Sequence, residues 1–391
     1  MIDLTSVRAA TPGAAFVTHF NNAGASLMPQ SVLDVVVGYL NEEGRHGGYE
    51  VADAHATDLA AVYDTLAALV GADRSEIALV DSATRAWDLA FSAMTFKAGD
   101  RILTTESEYA SNVIAFVQVA QRTGVSVEVV PSRPTGEIDV DALEAMIDER
   151  VRLIAINHVP TNSGLVNPAS EVGRVAKTHG IPYLLDACQS VGQMPVDVGA
   201  IGCDLMSATS RKFLRGPRGT GFLYVGSTML DRLEPAVLDL HGARLEAADR
   251  VVMRPDARRF ELWERSSALV LGMGAAADYA MAVGLDDIWE RNSALAARLR
   301  TALAAVPGVT VHDIGSVQGA IVTFTVAGRE ATDVKAMLQE QAINVSVAMP
   351  SSAPFDTRER GLPALVRASV HLSLIHISEP TRHTSQSRLP S

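Results

Sequence analysis

Three groups of residues in this chain are of types that could act together on a small organic anion. Lys212 lies in SATSRKF, among small residues, and is followed by the glycine-rich stretch GPRGTG. An amine kept partly out of water beside other cations holds its proton less tightly and becomes a usable nucleophile. Asp186 closes the apolar run of LLDACQS. A carboxylate there is costly to bury unless a cation or a proton donor meets it. Asp81-Ser82-Ala83-Thr84 enters a helical pattern, and the free N–H groups of a helix start, with a threonine hydroxyl, suit a phosphate. Each feature alone also has an ordinary reading: a solvated loop lysine, an aspartate capping a turn, a serine or threonine helix cap.

The elements that would hold these residues follow from the apolar pattern. Short β-branched runs at 77–80, 101–105, 126–130, 153–159, 183–186, 204–208 and 221–225 alternate with helical stretches at 85–95, 112–122, 140–148 and 169–178. That rhythm predicts βαβ units and a mainly parallel sheet, whose strands are apolar on both faces. Asp139 suits a helix N-cap, Pro168 a helix start, and Pro182 the position just before a strand. Beyond 225 come long helices at 266–283 and 286–305. Sheet-like runs at 309–312, 320–326 and 343–347 follow, with a helix at 331–341. This predicts a large domain over 12–283 and a small α+β domain over 284–371. Open α/β sheets bind ligands at the carboxyl ends of their strands. Thr84, Asp186 and Lys212 each follow a different strand, which is the arrangement pyridoxal phosphate needs: an anion site, a partner for the ring nitrogen and a Schiff-base amine.

Composition narrows the classes of function. Lys and Arg number 33 against 45 Asp and Glu, so 33 − 45 gives −12, which argues against nucleic-acid or anionic-membrane binding through basic charge. With 48% hydrophobic and 20% charged residues, the chain has the material for a core. Its two cysteines, Cys188 and Cys203, exclude a disulfide framework and a CxxC zinc cluster. No metal site is expected. The opening MIDLTSVRAATPGAAF lacks a signal-peptide pattern. The expectation is therefore a soluble, cytoplasmic protein.

The segments LLDACQS, MPVDVGAIGCDLMSATSRKF and GPRGTGFLYV, in that order, resemble the class V aminotransferase group of fold type I pyridoxal-phosphate enzymes. That group includes cysteine desulfurases, selenocysteine lyase, isopenicillin N epimerase and hercynylcysteine sulfoxide lyase. The resemblance runs from about FNNAGA, at residues 20–25, to VRASVH, at residues 366–371. It implies that Lys212 forms the Schiff base with pyridoxal 5'-phosphate and shuttles protons, and that Asp186 keeps the pyridinium nitrogen protonated. It further implies that Gln189 contacts the phenolic oxygen and that Ala83 and Thr84 cradle the phosphate, with Ser210 and Arg211 adding phosphate contacts. Tyr109, in ESEYASN, would stack on the cofactor. Its ordinary reading is a half-buried strand-end tyrosine. Arg367, in LVRAS, would grip the carboxylate of an amino-acid substrate, with Asn162 nearby. His158 is more often structural and stays outside the catalytic set. A homodimer is implied.

Departures from the group's pattern refine the expectation. Cysteine desulfurases carry a nucleophilic cysteine on a mobile loop shortly before the RAS arginine. Here that stretch is VSVAMPSSA, without cysteine, which disfavours a persulfide relay. GRHGGYEVA and SRKFLRGPRG look more like hercynylcysteine sulfoxide lyase and its relatives, and FELWE replaces the segment that brings a phosphate contact from the second subunit in desulfurases. The leading expectation is a C–S lyase on a cysteine-derived substrate. The alternatives are an aminotransferase or epimerase of the same group, or a cofactor-binding protein without activity. From residue 372 the chain reads LSLIHISEPTR, without helical or alternating period. It resembles translated adapter sequence, so 372–391 are expected to lie outside the natural protein.

Overall fold

A computed structural model describes residues 2–374. A seven-stranded sheet forms from β1 (Ile77–Val80), β2 (Arg101–Thr105), β3 (Ser126–Val130), β4 (Val151–Asn157), β5 (Tyr183–Asp186), β6 (Leu205–Thr209) and β7 (Gly221–Val225). The spatial order is β1-β7-β6-β5-β4-β2-β3. β7 runs antiparallel to both of its neighbours, and the other pairings are parallel. The expected α/β class and mainly parallel large sheet are what the chain adopts.

Strand periodicity explains why both faces are covered. In β4, Leu153 and Ala155 join one hydrophobic cluster while Ile154 and Ile156 join the other. Alternate residues of a strand point to opposite faces, so a continuous apolar run must be packed on both sides. The covering helices are α1 (Gln30–His46), α2 (Ala56–Val70), α3 (Ala83–Ser92), α4 (Ala110–Thr123), α5 (Ala169–His179) and α6 (Ser267–Val283). On one face Trp87 and Phe91 of α3 meet Phe116 of α4, with ring centroids 5.2 and 5.3 Å from that of Phe116. On the other face α6 buries Val270, Met273, Ala276 and Ala277 among the strands and α2.

α7 (Leu285–Ala304) follows α6 after Gly284, whose φ of +93° breaks the helix. The pair is bent by 80°, and no single described helix is long and apolar enough to cross a membrane. Beyond a hairpin of β8 (Ala243–Ala247) and β9 (Arg250–Met253) lies a four-stranded antiparallel sheet. It is built from β10 (Val309–Val311), β11 (Ile321–Val326), β12 (Ser346–Ala348) and β13 (Leu365–Ser369) in the order β10-β11-β13-β12. α7 and α8 (Ala331–Gln339) pack on it through Leu295, Leu299 and Val334. The strand β13, absent from the sequence-based expectation, is central in this sheet. LVRAS mixes a cation and small residues into an apolar run, which hides its strand character.

The N-terminal stretch is woven into the small sheet. Thr18–His19 pairs in parallel with Ile343–Asn344, and Ser369 N–H donates to Phe20 O at 2.7 Å. The first residues beyond 371 are also built in: Leu372 and Leu374 are buried, and Arg291 donates to both of their carbonyls. The rest of the expected foreign segment lies outside the described residues.

One tight approach fixes the floor between the two sheets. Gly192 has φ +86°, and a Cβ there would sit 2.3 Å from Leu214 N. The loop after β5 can therefore lie against the turn after Lys212 only with glycine at this position. Gly192→Ala is expected to cost about 3 kcal/mol, from backbone strain and the backbone clash together. Urea denaturation of the two proteins measures it.

Candidate active site

A cavity opens at the carboxyl ends of the strands, lined by Ala83, Thr84, Tyr109, Asp186, Gln189 and Lys212 among others. Each of these arrives from a different local device. Ser82, extended with φ −167°, caps α3 by accepting Arg85 N–H at 3.1 Å. The N–H groups of Ala83 and Thr84 in the following turn keep no acceptor within the protein, as at any helix start. Gly221 packs beneath this turn, its Cβ position 3.2 Å from Ala83 N. Tyr109 is the N-cap residue of α4 and is exposed, at 37%, so it is neither at a strand end nor half-buried.

Asp186 ends β5, where the sheet stops pairing. Its Oδ1 accepts Cys188 N–H at 2.9 Å and its Oδ2 accepts the Asn112 amide at 3.2 Å. Gln189 donates to Ala23 O at 3.3 Å and keeps a buried Oε1 with no partner. Lys212 follows β6 across the cavity from this carboxylate. Burial lowers the affinity of its amine for a proton. Cys188 and Asp186 work against that shift, and Arg211 and Arg367 work with it. A lysine so placed is readily neutral. Cys188 lines the same cavity with its thiol hydrogen-bonded to Lys212, and burial pushes that thiol's pKa up.

Arg367 reaches the site from the small sheet. β13 places it between Thr323 of β11 and Ser346 of β12. Its Nε donates to Ser346 Oγ at 2.9 Å, and its Nη1 donates to Thr161 O at 3.1 Å and to Thr161 Oγ1 at 2.6 Å. Burial first, with Arg211 assisting against Tyr109, pulls its guanidinium pKa down to about 10. Nη2 takes no protein acceptor, which leaves one corner of the guanidinium for a ligand.

Two expected site residues are turned elsewhere. Ser210 is fully buried and its hydroxyl donates to Pro217 O at 2.6 Å, within the glycine-rich turn and away from the cavity. Being first after a fully buried strand end, it points into the turn that leads to β7. Asn162 is likewise outside the lining: its amide donates to Asp356 Oδ2 at 2.6 Å, tying the large domain to the short helix Pro354–Glu359. The adjacent Thr161 takes the place in the cavity that Asn162 was expected to fill. Arg211 donates to Gly24 O and lies close enough to affect Lys212 and Arg367, but it does not line the cavity. His158 faces a different depression, beside Asn167 and Met194, and burial lowers its pKa to about 4.

Cys188, the neighbour of Gln189, also lines the cavity; Asn112, Asn157, Val159 and Thr161 complete the lining and escaped the sequence reading. Asn157 ends β4, so the rule that finds ligands at strand ends could have found it; the others carried no distinguishing pattern. The FELWE segment is anchored by Glu261. Its buried carboxylate accepts Leu79 N–H and Tyr63 Oη at 2.8 Å and Arg265 Nη1 at 2.7 Å, while Leu262 and Trp263 are exposed. Among the described residues no group of His, Cys, Asp and Glu could hold a metal ion.

A family model described as aminotransferase class-V matches residues 18–375. The chain belongs to this family. A cysteine desulfurase of Yersinia pestis (strain Pestoides F) is 30% identical over 370 residues, covering 91% of this chain and 89% of the relative. A probable cysteine desulfurase of Methanothermobacter thermautotrophicus is 28% identical over 364 residues, with 90% of each covered. The apo structure of a cysteine desulfurase from Thermococcus onnurineus NA1 superposes with a TM-score of 0.89 at 25% identity, covering 95% of this chain and 94% of that one. The fold is thus that of the fold type I pyridoxal-phosphate enzymes. These relatives are desulfurases, the subgroup from which the cysteine-free loop had set this chain apart. In class V aminotransferases of this build, a residue that only joins the domains should matter for stability and not for ligand. Asn162→Ala is expected to cost about 1 kcal/mol by removing one donor from the buried Asp356 carboxylate, which keeps Arg360, with affinity for pyridoxal phosphate retained. Thermal denaturation and equilibrium dialysis separate the two.

Proposed function

We propose that this class V aminotransferase is a pyridoxal-phosphate-dependent lyase that breaks the C–S bond of cysteine or a cysteine-derived substrate. The observation that carries the reading is one cavity lined by a buried amine, Lys212, a carboxylate, Asp186, and the helix start at Ala83 and Thr84, whose N–H groups have no acceptor, with Arg367 just outside the lining and hydrogen-bonded to the lining residue Thr161. The donor set fits the cofactor. The open helix start suits its phosphate, Asp186 suits the ring N–H, and Gln189, with a buried amide atom left unpaired, stands ready for a polar ring substituent. Bound there, pyridoxal 5'-phosphate supplies an electron sink conjugated with the substrate's amine.

The chain's own groups supply the rest. Arg367 binds the substrate carboxylate through Nη2, with Thr161 and Ser346 fixing its plane. Lys212 Nζ, neutral through burial and the nearby Arg211, takes the proton from the substrate's α-carbon and gives it up again after the sulfur has left. Asp186 keeps a proton on the ring nitrogen. Tyr109 covers the open face. Neither cysteine lies on the 349–353 segment: Cys188 lines the cavity and Cys203 is buried with its thiol pKa raised. This supports release of sulfur to solution in place of a loop-borne persulfide.

The finer parts of the reading belong to the same proposal. A large domain over 12–283 and a small domain over 284–371 are supported by the bend at Gly284. A cytoplasmic homodimer is supported by the exposed Leu262 and Trp263 beside the cavity edge and by the scarcity of cysteine.

Two variants test it. Lys212→Ala is expected to lose at least about 10³-fold in turnover, as befits removal of both nucleophile and proton carrier, and to lose the visible absorption of the bound cofactor. Arg367→Ala is expected to raise KM for cysteine about 10²-fold, the loss of one charge-assisted pair, with a smaller change in kcat. Assays for sulfide, alanine and pyruvate from cysteine and S-substituted cysteines read the chemistry. Keto-acid formation from ordinary amino acids without sulfur release would replace the lyase by the aminotransferase reading.

A further inference from the structure

Behind the cavity lies a second carboxyl group that the proposed reaction does not use. Glu108, in the turn between β2 and α4, is 1% exposed. Its Oε1 accepts Tyr109 N–H at 2.8 Å and the Asn112 amide at 2.9 Å, and its Oε2 accepts the Thr104 hydroxyl at 3.0 Å. The same Asn112 amide nitrogen donates to Asp186 Oδ2 at 3.2 Å. One NH₂ group thus bridges two buried carboxyl groups, and its two protons are both used.

We infer that Glu108 is a positioning residue, which through Asn112 orients Asp186 toward the ring nitrogen of the cofactor and adds a second negative charge that favours a protonated ring. The inference rests on the reading of the cavity as a pyridoxal-phosphate site.

Geometry carries it in two ways. Asp186 has only short-range restraints of its own: the Cys188 N–H and a long contact of 3.5 Å from Ser207 Oγ. Asn112 supplies the remaining one, and Asn112 is held by Glu108. The Glu108 backbone also leads directly into Tyr109, so the carboxyl that accepts Tyr109 N–H sets the start of α4 and the ring that lines the cavity. All three partners of Glu108 are donors, an environment suited to the ionised form.

Opposing them, desolvation, followed by the charge of Asp186, raises its pKa to about 7. Asp186 is the charged group acting on it, and beyond Asp186 stand Lys212, Cys188 and Arg211. The sign follows: without cofactor, the fold holds a proton on Glu108 more tightly than the unfolded chain does, so this residue's contribution falls as pH rises from 4.5 toward 7. A cationic ring next to Asp186 favours the ionised carboxylate, so binding draws that proton off, and affinity for the ring rises across the same interval.

The experiment titrates the cofactor-free full-length chain with pyridoxamine 5'-phosphate, which carries an amine in place of the aldehyde and makes no bond to Lys212. Dissociation constants are measured from pH 5.5 to 8.5 for wild type, Glu108→Gln and Thr104→Val. Wild type is expected to bind about tenfold more tightly at pH 8 than at pH 6 in excess of any change seen in Glu108→Gln, one pKa unit of coupling being a tenfold effect. Thr104→Val, which removes a donor and keeps the charge, is expected to move that step to higher pH. It also serves if Glu108→Gln fails to fold. Superimposable pH profiles for wild type and Glu108→Gln, or a step unmoved in Thr104→Val, would overturn the inference and leave the cofactor site standing. No binding by wild type at any pH would overturn both.

Discussion

Everything at the cavity depends on keeping ions out of water within reach of one another. Lys212 feels the charges of Arg211, Asp186 and Arg367, and Glu108 feels that of Asp186. Any of these alone would be expensive to bury. Held together they offset one another only in part, and the remainder appears as shifted protonation: an amine made basic enough to bond yet neutral enough to attack, and a guanidinium drawn down to about 10. The fold is arranged around this demand. Strands apolar on both faces, Leu153 and Ala155 to one side and Ile154 and Ile156 to the other, create a dry slab with the cavity at its carboxyl edge.

Much of that slab was legible beforehand. Five of the seven large-sheet strands begin and end where the apolar runs do, because turn residues bound them sharply; β4 and β6 are displaced by one or two residues. Lys212, Asp186 and Thr84 could be placed together because each follows a strand of one sheet, positions fixed by the backbone; Gln189 and Tyr109 were implied only by the resemblance. What could not be read was the direction of side chains within turns. Asn162 stands one position from the lining residue Thr161 and Ser210 two from Lys212, and in a turn so short a step can reverse the side chain. No hydrophobic period exists there to decide between them. β13 escaped for a related reason: its central residue, Arg367, is the functional one, and a cation in mid-strand breaks the pattern that would reveal the strand. The residues that matter most to the ligand are thus the ones that spoil the signal of the element carrying them.

The two departures from the desulfurase pattern act at opposite rims. By the four-stranded sheet, 346–353 runs from β12 into a short helical turn and offers Ser346 to Arg367, the residue proposed to bind the substrate carboxylate. On the large-domain side, Glu261 pins FELWE to the edge strand β1 and to Tyr63, whose hydroxyl is pushed up to about 12, mainly by burial. A segment tied to the sheet by a buried carboxylate is rigid, and it holds Leu262 and Trp263 outward at a fixed distance from the helix start that would receive the phosphate.

The pairing of the chain's beginning with β13 bears on how the protein is made. Asn22 donates to Ser369 O and Ala23 N–H to Ser369 Oγ, contacts that span 347 and 346 residues. Synthesis delivers the two partners at opposite ends of translation. The large sheet can gather on the ribosome as βαβ units emerge, but the arginine that would recognise the substrate is seated only after β13 has left the tunnel. A nascent chain released early would therefore expose a competent-looking amine pocket with no clamp over it, and its loose N-terminal strand would be left looking for an edge.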